Sequence, residues 1–202
     1  IVFSCFLFIQ LIIKIMQFIN YYNNPKNIRF ESFKFALNEA NKRGHKILVE
    51  TGVARGKTKF FFINKTNWLD GMSTLIFSDY ARFTGGFLYA CDIEKKNIDN
   101  AKKFTIKNSS FIEFVQDDSL NFLRDFVKKI DFLYLDSLDG QFKDAANHQL
   151  KEIKLAEKNL HKNSLVLLDD KGQKTTLSLD YMIKNNFKII NETKQQILLS
   201  RF

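Results

Sequence analysis

Between positions 46 and 169, short apolar runs alternate with stretches of helical periodicity, and each run stops within two residues of an acid. The runs occupy 46–51, 87–92, 111–115, 132–136 and 165–169, and the helical stretches occupy 73–83, 95–107, 119–129 and 144–160. Four of the five runs are continuously apolar rather than alternating, the pattern of strands buried on both faces. Strands joined through helices pair in parallel, so the chain is expected to build an α/β domain with its sheet covered on both sides. A further helix is expected over 28–43, where Phe30, Phe33, Leu37 and Ala40 recur at helical spacing and Gly44 supplies a C-cap. The tail breaks the alternation. After a helix near 175–184, strand-like segments at 187–192 and 195–202 lie too close together for a crossover and must form a hairpin. The expected product is a mostly parallel seven-stranded sheet closed by an antiparallel C-terminal hairpin.

Composition limits the partners. A chain of 202 residues with 45% hydrophobic content can bury one substantial core without disulfides. Cys5 and Cys91 are far apart and match no metal spacing, which points to small apolar roles in a reducing, cytoplasmic setting. The excess of 31 basic over 22 acidic residues gives +9, but the lysines fall as singles and pairs among acids, as at Lys95-Lys96 and Lys128-Lys129. Such scatter reads as solvated helix faces, so nucleic acid is not expected as a partner. Residues 1–15 are almost wholly apolar yet too short to span a bilayer. They are expected to be translated upstream sequence before a start at Met16, or an interfacial anchor helix and the only route to a membrane. Residues 16–202 are expected to form a single domain.

Ligands of open α/β sheets bind beyond the carboxyl ends of the strands. Here those ends present Glu50-Thr51-Gly52, Asp92-Ile93, Asp117-Asp118-Ser119, Asp136 and Asp169-Asp170. In order and spacing this set resembles the class I S-adenosylmethionine-dependent methyltransferases, which have a Rossmann-like, doubly wound fold. The resemblance covers about residues 28–202. It implies that Glu50, Thr51 and Gly52, with Gly71, Ser73 and Thr74, form the first cofactor motif, where glycine permits close backbone approach. It further implies that Asp92 receives the ribose hydroxyls, that Ile93 packs on the adenine, and that Asp118-Ser119 reads the adenine edge. Asp136 would face the methionine part or the methyl acceptor.

More narrowly, 131–137, 148–152 and 165–170 are similar to small-molecule O-methyltransferases, including the metal-dependent catechol type. That resemblance makes Asp136 and Asp170 metal-ligand positions. The next ligand position holds Lys171, and an ammonium cannot ligate a hard cation. No metal is therefore expected; if one binds, its ligands are Asp136, Asp169 and Asp170. The near-neutral pKa of a histidine would let His148 join Asp136 as a catalytic residue that removes a proton from an acceptor hydroxyl. His45 and His161 are given no role. Residues 54–70 lengthen the first motif and are expected to form a lid rich in Phe and Trp over the acceptor pocket; alternatively, Gly56 is the second motif glycine and 57–63 begins the helix. The expected activity is methyl transfer to an oxygen of a small molecule or glycan. A nicotinamide-dependent oxidoreductase is the first rival, disfavoured because no G-x-G-x-x-G follows the first strand. A non-catalytic nucleic-acid-binding domain on the same fold is the second.

Overall fold

The computed structural model describes residues 18–60 and 63–201; the apolar segment 1–15 and the lid residues Phe61 and Phe62 fall outside them. A helix α1 (Phe30–Lys42) leads into β1 (Ile47–Thr51), and a small hairpin of β2 (Lys57–Phe60) and β3 (Ile63–Thr66) precedes α2 (Ser73–Thr84). The chain continues through β4 (Phe87–Asp92), α3 (Lys95–Phe104), β5 (Ile112–Gln116), α4 (Ser119–Asp125), β6 (Ile130–Leu135) and α5 (Ala145–Ala156). It ends with β7 (Leu160–Leu168), α6 (Thr176–Lys184), β8 (Phe187–Glu192) and β9 (Ile197–Arg201). The seven-stranded sheet has the order β5-β4-β1-β6-β7-β9-β8. It is parallel from β5 to β7, and β9 runs antiparallel to both β7 and β8. This is the expected Rossmann-like α/β architecture with its closing hairpin.

Alternate residues of each central strand serve opposite faces, and both faces are apolar. Leu48, Phe132, Tyr134, Leu165 and Leu167 pack with Phe33 and Leu37 of α1 and Phe77 of α2. Their neighbours Val49, Leu133, Leu135, Val166 and Leu168 pack with Leu123, Ile153 and Met182 from α4, α5 and α6. Edge-to-face contacts organise the first layer: Phe77 lies 5.2 Å from Phe33, 5.3 Å from Phe132 and 5.3 Å from Tyr134, ring centre to ring centre. β5, at the sheet edge, is the least buried of the five parallel strands.

Within the segment 54–70, the alternative of a helix beginning at 57–63 does not hold. Residues 57–60 form a strand rather than the start of a helix, paired with 63–66 from Lys57 opposite Thr66 to Phe60 opposite Ile63. The Asn67 N–H closes the base of this hairpin on the Gly56 carbonyl at 2.9 Å. Trp68 packs against the first core layer. No helix among the described residues is long and apolar enough to cross a membrane.

Candidate active site

Strand order reverses between β1 and β6, the switch point where open α/β sheets form their crevice. Gly52 sits there with φ +84°, and a methyl group on it would lie 2.2 Å from the Asp136 carbonyl oxygen. Only glycine lets the chain leave β1 this close to the end of β6. The Asp136 N–H donates to the Thr51 carbonyl at 2.9 Å, and the Gly52 N–H to the Cys91 carbonyl at 2.9 Å, tying three strand ends together.

Three adjoining cavities follow the carboxyl edge of the sheet. The first, about 140 Å³, is lined by Cys91, Asp92, Ile93, Asp117, Asp118, Ser119 and His148. It shares Gly52, Asp92, Ile93, Ser137 and Leu138 with a second cavity of about 270 Å³, which reaches Arg55, Asp70 and Asp136. The third, about 470 Å³, is lined by Arg29, Arg55, Asp70, Asp136, Asp139, Gly140, Gln141 and Asp170. Asp92 stands at the first junction and Asp136 at the second.

Asp92 accepts the N–H groups of Val53 at 3.0 Å and Glu94 at 2.7 Å, with longer contacts to the Asn97 amide at 3.2 and 3.3 Å. Ile93 beside it is 63% exposed, an apolar surface left open at a strand end. Asp118 caps α4 by accepting the Leu120 N–H at 2.8 Å. Ser119 Oγ lies 2.9 Å from His148 Nε2. His148 thus belongs to the first cavity, apart from the polar third cavity that Asp136 borders.

The acids around β6 and β7 are paired with cations that the sequence did not single out. Arg29 donates from Nε and Nη2 to the two oxygens of buried Asp169 at 2.7 and 2.6 Å, and reaches Asp170 at 3.1 Å. Lys174 Nζ lies 3.3 Å from both Asp136 Oδ1 and Asp170 Oδ2, and its side chain is only 1% exposed. The Tyr134 hydroxyl donates to Asp136 Oδ2 at 3.2 Å, and the Gln196 amide to Asp169 Oδ1 at 2.6 Å. Burial, then the charge of Asp169, raises the Asp136 carboxyl well above the usual carboxylate range. Asp169 is also opposed by burial, but its hydrogen bonds from Arg29 hold it low. Burial opposes the charge on Lys174 too, and Asp136 and Asp170 more than restore it. Lys171, the expected obstacle to a metal, instead pairs with Glu192 at 2.5 Å.

Glu50, Thr51, Ser73 and Thr74 are buried and, with Gly71, lie behind the cavity wall rather than on it. The Ser73 hydroxyl donates to Glu50 Oε1 at 2.5 Å, and Thr74 Oγ1 accepts the Ala54 N–H at 2.8 Å, so these residues brace the loop after β1. Glu50 Oε2 has no partner, and burial raises the carboxyl to about 8. Below its ordinary value of 4.5 both folded and unfolded chains hold the proton. Between there and about 8 only the folded chain does. Folded stability should therefore fall across that window, at about 1.4 kcal/mol per pH unit at most. Glu50→Gln, which mimics the neutral acid, is expected to raise the melting temperature at pH 8 and leave it unchanged at pH 4. Equal melting temperatures at pH 8 would mean that Glu50 is ionised in the folded chain.

The remaining histidines lie outside the three cavities, and the described cysteine lines the first. His45 Nε2 lies 3.0 Å from the Asn163 carbonyl, and burial lowers its pKa to about 4. His161 Nε2 lies 2.9 Å from Asp131, which accepts the Lys46 and Ile47 N–H groups ahead of β1. Cys91 is a free thiol, buried and raised to about 12.

The sequence profile of a methyltransferase domain matches residues 68–171, just over half of the chain. No curated protein sequence matches it. Among solved structures, a methyltransferase of Podospora anserina bound to S-adenosylhomocysteine superposes with a TM-score of 0.62 at 12% identity, over 93% of this chain and 87% of that one. An O-methyltransferase of Bacillus cereus, also with S-adenosylhomocysteine, gives 0.60 at 12% identity over 94% and 89%. An rRNA methylase described as putative, from Clostridium thermocellum, gives 0.59 at 12% identity over 89% and 100%. At such identities the structures attest the fold, while the profile match carries the kinship: this chain belongs to the methyltransferase-domain family, the class I enzymes that use S-adenosylmethionine.

Proposed function

We propose that this methyltransferase, a single domain from residue 16 onward working in the cytoplasm, methylates a hydroxyl of a polyhydroxylated small molecule or glycan. The observation that carries the reading is the third cavity, six of whose eight lining residues are charged. Pockets for aromatic acceptors are predominantly apolar. A cavity of carboxylates and guanidinium groups instead matches a ligand that presents many hydroxyls.

The cofactor would occupy the other two cavities. Asp92 would take the ribose hydroxyls in place of its long contacts to the Asn97 amide, and exposed Ile93 would lie against the adenine. Asp118, Ser119 and His148 would border the adenine edge, where His148 would bind rather than remove a proton. Glu50, Thr51, Gly71, Ser73 and Thr74 would act from behind, by fixing the loop that carries Gly52. When bound, S-adenosylmethionine supplies an already activated methyl group on its sulfonium. The protein's share is then alignment and removal of the hydroxyl proton. Asp136, at the junction of the second and third cavities, would accept that proton in its ionised form, which the charges of Lys174 and Arg29 favour against burial.

The test is to offer the protein labelled S-adenosylmethionine with monosaccharides, nucleotide sugars, catechols and RNA, and to find the methylated product by mass. Transfer to a sugar hydroxyl is expected. Transfer to catechols or RNA alone would overturn the reading.

A further inference from the structure

We infer that the Lys174 ammonium occupies the place a divalent cation would take among Asp136, Asp169 and Asp170, and that it does a cation's structural work there. Each of the three acids brings an oxygen within 4.8 Å of the others, a spacing able to hold one ion. Their oxygens are already engaged. Lys174 Nζ sits between Asp136 and Asp170, 3.3 Å from each, while both oxygens of Asp169 are taken by Arg29. The Gly140 N–H, at 3.2 Å from Asp170 Oδ2, completes the far side. A hard cation binds by collecting several free oxygens, and here it would first have to expel one cation and face another.

The geometry explains why a lysine is found there. Asp170 has φ +53°, a turn that sends Lys171 outward to Glu192 and brings the chain round through Gly172. Lys174, four positions after Asp170, then points back under the strand ends, where its side chain is 1% exposed. A buried ammonium with two carboxylate partners is a fixed element of the site. By holding Asp136 and Asp170 together, Lys174 is a positioning residue for Asp136. It is not itself among the residues that line the third cavity, and meets it only through these two acids.

Titration of the full chain with Mn²⁺, followed by the electron paramagnetic resonance signal of the free ion, tests this. The unaltered protein is expected to leave the signal unchanged. Lys174→Ala, which vacates the position but keeps three acids, should bind Mn²⁺ at least about tenfold more tightly. Adding Asp170→Asn to that variant should abolish the gain, and Lys171→Ala alone should produce none. Mn²⁺ binding by the unaltered protein that Asp170→Asn removes would overturn the inference without recourse to any lysine variant. So would a folded Lys174→Ala that binds no better than the parent, or a gain in Lys171→Ala.

Discussion

Replacing Asp136 with Asn is expected to lower turnover by roughly a hundredfold to ten-thousandfold, the range for loss of a positioned proton acceptor. Asn has the same shape but cannot take up the hydroxyl proton. The backbone around it should hold, because Asp136 N–H still meets the Thr51 carbonyl and Gly52 still packs on the Asp136 carbonyl. Cofactor affinity, measured by calorimetry with S-adenosylhomocysteine, is therefore expected to stay within a few-fold while the maximal rate collapses. The neighbours also predict a secondary effect: Lys174 loses one of its two carboxylate partners, so the variant should melt earlier. A variant that keeps its maximal rate would remove Asp136 from the chemistry, whatever its melting temperature.

Asp92→Ala is expected to weaken cofactor binding by about 1.5–3 kcal/mol, the worth of hydrogen bonds to a charged group, or roughly ten- to a hundredfold. The side chain does more than face the cavity. By accepting the Val53 and Glu94 N–H groups it fixes both the loop after β1 and the approach to α3. Part of the loss will thus come from loosening of those loops. Asp92→Asn separates the two contributions, since it retains one acceptor oxygen for the backbone but loses the charge. It should fall between the parent and Asp92→Ala. Unchanged affinity in Asp92→Ala would exclude this carboxylate from the ribose site.

The frame of the fold was legible because its signals are local. The continuous apolar runs at β1, β4, β6 and β7 belong to strands with both faces covered, and the short spacing before β9 forces an antiparallel return. The acids at the strand ends were legible from the same reading, since each closes an apolar run, and the carboxyl ends of the strands are where such sheets bind ligands. The hairpin at 57–66 was not legible: the residues between its strands are Phe61 and Phe62, with no glycine or asparagine to mark a tight turn. Arg29 gave no signal either, because its partner Asp169 is 140 positions away and only the packing of α1 on the sheet unites them. Lys171 drew attention by adjacency. A left-handed residue at Asp170 turns it away, and Lys174 takes the position instead. Nor does spacing along the chain show that the register of α5 sets His148 against Ser119 in the first cavity.

These assignments share one premise, that the cavities at the carboxyl edge of the sheet hold S-adenosylmethionine through Asp92 and Asp118. Calorimetric titration of the unaltered protein with S-adenosylhomocysteine and, separately, with NAD tests it most directly. One-to-one binding of S-adenosylhomocysteine, weakened in Asp92→Ala, and no heat of binding with NAD is the predicted result. Binding of NAD with none of S-adenosylhomocysteine would contradict the account.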